Sequence, residues 1–303
     1  MLESNREKAS GVISYITSPQ KNHTQPITSK NLLCHGLNIR FNLFDEDLEK
    51  IIEESFPRNF NFSLQGSEIL SHVEVDWYSS RNLNIIWNDY GDHQCSFFQL
   101  HGKRLAIQRD FACFHQNERK ILLFTDTLID DGFFNFLRYF IPVTLLKYDR
   151  FIFHSSCVLN KEGEATLFLG HSGWGKSTIT SMFPKNQALG DDMNLVRVKD
   201  GKVLVEPTHL GQLVTCWEKQ GETYAVKNLF WLNKANTEKK VVIKNMSATE
   251  QRLKILGSLS GLFWDQIGES ESQKVFSFLK NLLKNTSVKH FSFSLTSEVT
   301  KYV

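Results

Sequence analysis

The stretch FLGHSGWGKST, residues 168–178, constrains this chain more than any other. Gly170, Gly175, Lys176 and Ser177 satisfy the spacing G-x-x-x-x-G-K-[ST], with Gly173 as an extra glycine inside it. Glycine lets a backbone take positive φ and approach an anion closely. Successive N–H groups then form a concave anion site, which the start of a helix completes. Such a loop needs a strand before it and a helix after it. The apolar run at 165–169 reads as a buried strand, and 177–183 has helix-compatible composition. The expectation is a phosphate-binding loop (P-loop) for ATP. The cradle would be Gly170, Ser172, Gly173, Trp174, Gly175, Lys176, Ser177 and Thr178. Lys176 would reach the β- and γ-phosphates, and the Ser177 hydroxyl would bind Mg²⁺. A Gly-rich turn matching by chance is the bland alternative, and the flanking strand weighs against it.

Two more features bear on chemistry. Asp191 and Asp192 follow the loop at the end of a short strand pattern, 187–192. Phosphoryl transfer needs a carboxylate at the metal and often a second to orient or deprotonate the attacking hydroxyl. Adjacent carboxylates at a strand end serve both needs, because successive side chains diverge there; a solvated turn is the alternative. His154 lies in the strand before the loop, among Phe151, Ile152 and Phe153. Alone it reads as a hydrogen-bonded core histidine.

The order His154, hairpin, GHSGWGKST, GDDM resembles the catalytic core of HPr kinase/phosphorylase and the wider family of kinases related to it. The matching segments are Phe153-His154-Ser155-Ser156, Gly170 to Thr178, and Gly190-Asp191-Asp192; Ser172 and Gly173 match the S-G inside that family's loop. The resemblance covers about 150–235. It implies an α/β fold: a P-loop kinase core of HPr-kinase type with a β-rich α+β N-terminal domain. It also implies a catalytic role for His154 beside the acidic site, Asp191 as base on the acceptor hydroxyl and Asp192 as metal ligand, with the order of the two reversible. The chain lacks an E-I-R-G-L-G-like segment and its 1–150 region is unlike the bifunctional enzyme's N-terminal domain, so neither dephosphorylation nor a hexamer is implied. It is closer to stand-alone kinases of the group, which carry an A-x-[KR]-x-[IL]-[FY]-x-L strand. Here that strand is Ala225 to Leu232, with Lys227 as a further candidate charge.

The expected domains are a β-rich 1–148, a candidate for acceptor recognition, and a catalytic 149–303. Residues 1–31 show no deciding periodicity and read as an arm or loose strands. A strand near 36–41 and a helix at 45–55 come next, the helix with Leu48, Ile51 and Ile52 on one face. Strand patterns at 72–78, 83–87, 96–100, 104–110 and 121–126 predict an antiparallel meander. A helix at 129–147 carries Ile129, Phe133, Phe136, Leu137 and Phe140 at helical spacing. Beyond the loop, 195–207 is a hairpin turning at Asp200-Gly201. Strands are expected at 225–233 and 240–244. Ser247-x-x-Glu250 and Ser270-x-x-Gln273 each open a helix. The last helix points Val275, Leu279, Leu282 and Leu283 inward. A final strand at 290–295 alternates Phe291, Phe293 and Leu295.

Composition removes some function classes. The net charge of +2 gives no basic surplus for nucleic acid. Five cysteines, an odd number with no C-x-x-C pair, argue against a disulfide framework and a zinc site. The N-terminus MLESNREKASGV lacks a signal-peptide core. The apolar stretch 133–146 is interrupted by Arg138 and Pro142 and is too short to span a bilayer. A soluble cytoplasmic protein is expected. Three readings stay open: a metal-dependent kinase acting on a hydroxyl of a peptide, protein or metabolite; a P-loop ATPase or nucleotide-switched binder; and a carboxykinase-like enzyme. The acceptor pocket is expected from the N-terminal region and the loop with Glu206, His209 and Trp217.

Overall fold

The computed structural model describes residues 2–18, 25–55, 68–80, 95–126, 131–208, 210, 219, 221–233, 240–262, 266–295 and 298–303. The fold is mixed α/β, with two mixed sheets. The chain divides into Met1–Leu137 and Arg138–Val303. That division falls inside helix α3 (Asp131–Leu146), whereas the sequence pattern placed it after the helix, at 148/149.

The first unit is a seven-stranded sheet in the order β1-β2-β3-β7-β6-β5-β4. Its strands are β1 (Thr28–Cys34), β2 (Leu37–Leu43), β3 (Ser71–Ser79), β4 (Ser96–Leu100), β5 (Lys103–Ile107), β6 (Phe111–His115) and β7 (Lys120–Thr125). Only β4 to β7 form the expected antiparallel meander. β2–β3 and β3–β7 are parallel. The helix α2 (Glu46–Ser55) lies between β2 and β3 in the chain, and a parallel pair needs such a long crossover. β6 is a strand the pattern missed. The chain turns at Gln108–Asp110, where Gln108 N–H donates to the Phe111 carbonyl at 2.9 Å. The expected strand at 83–87 and Ile129 lie outside the described residues.

Alternation splits this sheet into two faces. One carries Ile39, Phe41, Val75, Trp77 and Leu123, all buried. Leu48, Ile51 and Ile52 of α2 are buried as predicted. Phe133 of α3 stacks on Trp77 at 4.4 Å and meets Phe41 edge-on at 5.4 Å. The Trp77 indole N–H donates to Thr125 Oγ1 at 2.8 Å, so its polar atom is satisfied. On the other face lies α1 (Leu2–Thr17), where the sequence suggested an arm. Its Ala9 and Val12, with half-buried Ile13 and Ile16, pack on Leu105, Ile107, Ala112, Phe114, Leu122 and Phe124.

The second unit holds β8 (Phe151–Leu159), β9 (Ala165–Leu169), α4 (Lys176–Ser181), β10 (Ala188–Gly190), β11 (Met193–Lys199), β12 (Lys202–Pro207), β13 (Tyr224–Leu232), β14 (Val242–Asn245), α5 (Ala248–Ser258), α6 (Glu269–Asn285) and β15 (Val288–Ser292). Its pairings close on themselves: β8 with β11, β11 with β12, β12 with β13, β13 with β9 and β9 with β8. β13–β9 and β13–β15 are parallel, the rest antiparallel. The β11–β12 turn is Asp200-Gly201, both at positive φ (51° and 72°), the geometry whose twist suits a two-residue hairpin. Ser247 caps α5, its Oγ accepting from the Glu250 N–H at 3.2 Å. The expected cap at Ser270 is displaced: α6 starts earlier, behind Gly268, and Ser270 sits inside its first turn. Leu295 lies beyond β15 and is 74% exposed, so the terminal alternation stops at Phe293. Among the described residues no helix is long and apolar enough to cross a membrane.

Phe133→Ala should cost about 3–5 kcal/mol, the range for removing a buried aromatic ring. Urea unfolding followed by tryptophan emission checks it; a loss below about 1 kcal/mol would mean the Trp77–Phe133 stack does not anchor this sheet.

Candidate active site

β8 organises the site because it is paired on both edges. On one edge Ser155 lies opposite Leu169, the last residue of β9 before the glycine loop. On the other, Gly190 lies opposite Cys157 and Met193 opposite His154. Asp191 and Asp192 interrupt the ladder between these pairs, with the Ser155 N–H donating to the Asp192 carbonyl at 2.8 Å. Asp191-Asp192 is therefore a break between β10 and β11 rather than the end of a strand. The loop and the acidic pair meet across one β-strand.

The loop runs from Gly170 to Gly175, and α4 begins at Lys176. Gly173 (φ 75°) and Gly175 (φ 96°) adopt the left-handed conformation that other residues resist. A Cβ on Gly173 would meet nothing within 4 Å, while one on Gly175 would come within 3.3 Å of the Phe293 ring. Ile179 and Phe183 anchor the short helix against Phe168, Phe230 and Phe291. Lys176 turns back into the loop, its Nζ donating to the carbonyls of Gly170 at 2.9 Å and His171 at 3.1 Å. Ser172, Gly173 and Thr178 are exposed, and Trp174 and Ser177 half-buried.

Electrostatics joins these parts. Lys176 is only 6% exposed and Asp191 1%. Burial pushes the Lys176 ammonium below the ordinary lysine range, with Asp192 and Asp191 opposing that push. His154 Nε2 meets Asp192 Oδ1 at 2.7 Å, and the Arg138 guanidinium lies 3.5 Å from Oδ2. Burial alone would raise the Asp192 carboxyl. The His154 hydrogen bond and the charges of His154, Arg138 and Lys176 outweigh burial and hold it below the usual carboxylate range. His154 is thus a partner of Asp192 rather than a core histidine.

Sequence reasoning missed several members of this cluster. Arg138 was read only as an interruption of an apolar stretch. Asn194 donates to the Ser155 carbonyl at 2.7 Å and hydroxyl at 3.1 Å, bracing β8 beside the acidic pair. Its Oδ1 would sit 2.9 Å from a Cβ on Gly190, which explains glycine before the two aspartates. Trp231, beside Leu169 in the parallel β13–β9 pair, meets His171 edge-on at 5.1 Å. Lys227 falls toward the other end of β13, where it pairs with Glu164 at 2.9 Å and belongs to no site with Lys176. Glu206 pairs with Arg197 at 2.7 Å; His209 and Trp217 lie outside the described residues.

The residues present suit a polyphosphate and a magnesium ion. A buried ammonium beside two glycines at positive φ suits an anion. Magnesium takes one or two carboxylates and completes its shell with phosphate and water, so Asp192 with the Ser177 hydroxyl suffices as a protein contribution. Among the described residues no three His, Cys, Asp or Glu side chains form a cage that would hold a metal alone.

Two outcomes follow from this geometry. Gly175→Ala should destabilise the protein more than Gly173→Ala, which pays only the left-handed backbone cost of about 1 kcal/mol; chemical denaturation of both variants checks the order. Asp192 has a lowered folded pKa, so its contribution to stability is present above the ordinary carboxylate value of about 3.9 and disappears as pH falls through the folded pKa. Asp192→Asn should therefore lose less stability than the wild type between about pH 5 and pH 2, measured by thermal melts across that range. No protein-family model matches the chain, and no curated protein matches it either.

Proposed function

We propose that this chain is an ATP- and Mg²⁺-dependent kinase with a P-loop of HPr-kinase type, moving the γ-phosphate to a serine-type hydroxyl of a peptide, protein or small metabolite. One observation carries the reading: Lys176, Asp191 and Asp192 come together beside the middle of β8, around His154 and Ser155, with His154 and Arg138 paired to Asp192. A structural ion cluster would gain nothing from a lysine pushed below its ordinary pKa beside two glycines in the left-handed conformation.

Mg²⁺-ATP, when bound, supplies the phosphoryl group and an electrophilic cation. Ser177 and Asp192 would hold the metal. Lys176 exchanges its two carbonyl acceptors for phosphate oxygens, a stronger charge-assisted pairing. The loop amides and Lys176 then stabilise the charge that spreads over the transferred group. Asp191 accepts the proton of the attacking hydroxyl. His154 and Arg138 keep Asp192 ionised and fix its orientation. A lowered pKa suits a metal ligand better than a base, which favours this assignment of the two aspartates over the reverse.

The test is transfer of γ-labelled phosphate from Mg²⁺-ATP to low- and high-mass fractions of source-organism cytosol. Label should enter one pool with the wild type and fall at least about 10²-fold with Asp191→Asn and with Lys176→Ala. Label released only as free phosphate, in every pool, would replace the kinase by an ATPase or nucleotide switch.

A further inference from the structure

The first unit contains a cavity of about 410 Å³ beside the C-terminal end of α1, within the size range of small-molecule sites. Its floor is the α1 side of the sheet. Under α1 that face is apolar, as packing requires. Over β2, β3 and the start of β7 it is not. Three cross-strand rows succeed one another there. Arg40, Glu74 and Lys120 are register partners, and so are Asn42, Asp76 and Leu122. The third row is aromatic, with Phe44 stacked on Tyr78 at 4.4 Å. The floor thus passes from alternating charge through a buried amide and carboxylate to aromatic rings.

The polar groups are fixed in place. Asn42 Nδ2 donates to Glu74 Oε1 at 2.6 Å and to Asp76 Oδ1 at 2.8 Å. Lys120 lies 3.2 Å from Asp76 Oδ2. Asp76 is 8% exposed. Apolar replacements of such a network are commonly neutral or stabilising, so the fold alone does not call for it. The other face of these same strands is mainly apolar, with Thr125 satisfied by the Trp77 indole, and the charged network lies on the cavity floor. Burial is the largest cause raising the Tyr15 and Tyr78 hydroxyls, and the Asp76 charge adds to both, so they stay protonated and able to donate.

We propose that this cavity binds a free amino acid with an apolar or aromatic side chain. Arg40, Glu74 and Lys120 stand on neighbouring strands about 4.8 Å apart, so cation, anion and cation follow one another across the floor, with Lys120 Nζ 4.0 Å from Glu74 Oε2 and Arg40 Nη2 3.5 Å from Ser29 Oγ. A ligand whose ammonium and carboxylate share one carbon meets both signs in one row. The ammonium pairs with Glu74, the carboxylate with Arg40 or Lys120, and the side chain lies toward Phe44 and Tyr78. A singly charged ligand satisfies one sign and desolvates the other. Binding here is independent of the kinase reading.

The experiment is isothermal titration of the full chain with L-leucine, L-phenylalanine and L-tyrosine. Phenethylamine and 3-phenylpropionate are the ammonium-only and carboxylate-only controls. At least one amino acid should bind saturably in the micromolar to low millimolar range, each control about tenfold or more weaker. Arg40→Ala and Glu74→Gln, both on partly open side chains, should each weaken binding about tenfold with an unchanged unfolding midpoint, while Lys176→Ala should leave it intact. Absence of saturable binding by all three amino acids overturns the proposal. So does equal binding of a control, or binding that survives both cavity variants.

Discussion

The charge balance around Asp192 is the constraint on which the second unit depends. A carboxylate so nearly enclosed is tolerated only if it is paired and hydrogen-bonded. Three segments meet that need: His154 from β8, Arg138 from α3, and Lys176 at the start of α4. Each is placed by backbone structure remote from its charge. The β8–β11 register sets His154 beside the chain at Asp192. The left-handed glycines turn the loop so that Lys176 enters α4 facing inward. Removal of any one partner leaves the others with an uncompensated buried charge, so these segments are energetically tied though far apart in sequence.

Much of this was legible in the sequence because its signals are local. The glycine spacing fixed the strand–loop–helix order around Lys176, and Asp200-Gly201 fixed a hairpin. The Ser247 cap emerged as a real hydrogen bond. Arg138 was not legible, because a cation in an apolar helix announces no partner; only the fold shows that it reaches Asp192. Lys227 misled for the converse reason. A strand motif gives a position along a strand, but not which end of a parallel neighbour lies beside it. The β13–β9 register puts Trp231 at the loop end and Lys227 at the other.

In the first unit most strands were legible, β1 and β6 excepted, and their pairing was not. Alternation reports which face a residue takes and says nothing of its neighbour's direction. The crossover through α2 makes β2–β3 parallel, and the passage through β4, β5 and β6 makes β3–β7 parallel, where the short turns suggested a meander. The N-terminal helix was hidden because, among its residues with described side chains, the packed stripe is short, Ala9, Val12, Ile13, Tyr15 and Ile16, with Gly11 inside it. It becomes a helix by packing, since a short, weakly amphipathic segment is marginal alone. The polar rows of the cavity floor were equally hidden: Glu74 and Asp76 are the polar positions of an alternating strand, and only the fold brings Asn42 and Lys120 beside them.

The same charge accounting bears on how the proposed kinase site would fill. Lys176 and Arg138 roughly offset Asp191 and Asp192 before any ligand enters, with His154 adding charge only when protonated. Lys176 spends its donors on the carbonyls of Gly170 and His171, which hold the loop in shape. A polyphosphate arriving alone would tip this near-neutral, water-poor cluster strongly negative, and the two buried aspartates would repel it. With a divalent cation that sign would be reversed: Asp192 would share the metal with the phosphates, and Lys176 would be free to turn from the carbonyls to the incoming oxygens. Under the proposed reading, the acidic pair therefore acts first as a filter. Free nucleotide would be rejected, and the metal complex would be the species admitted.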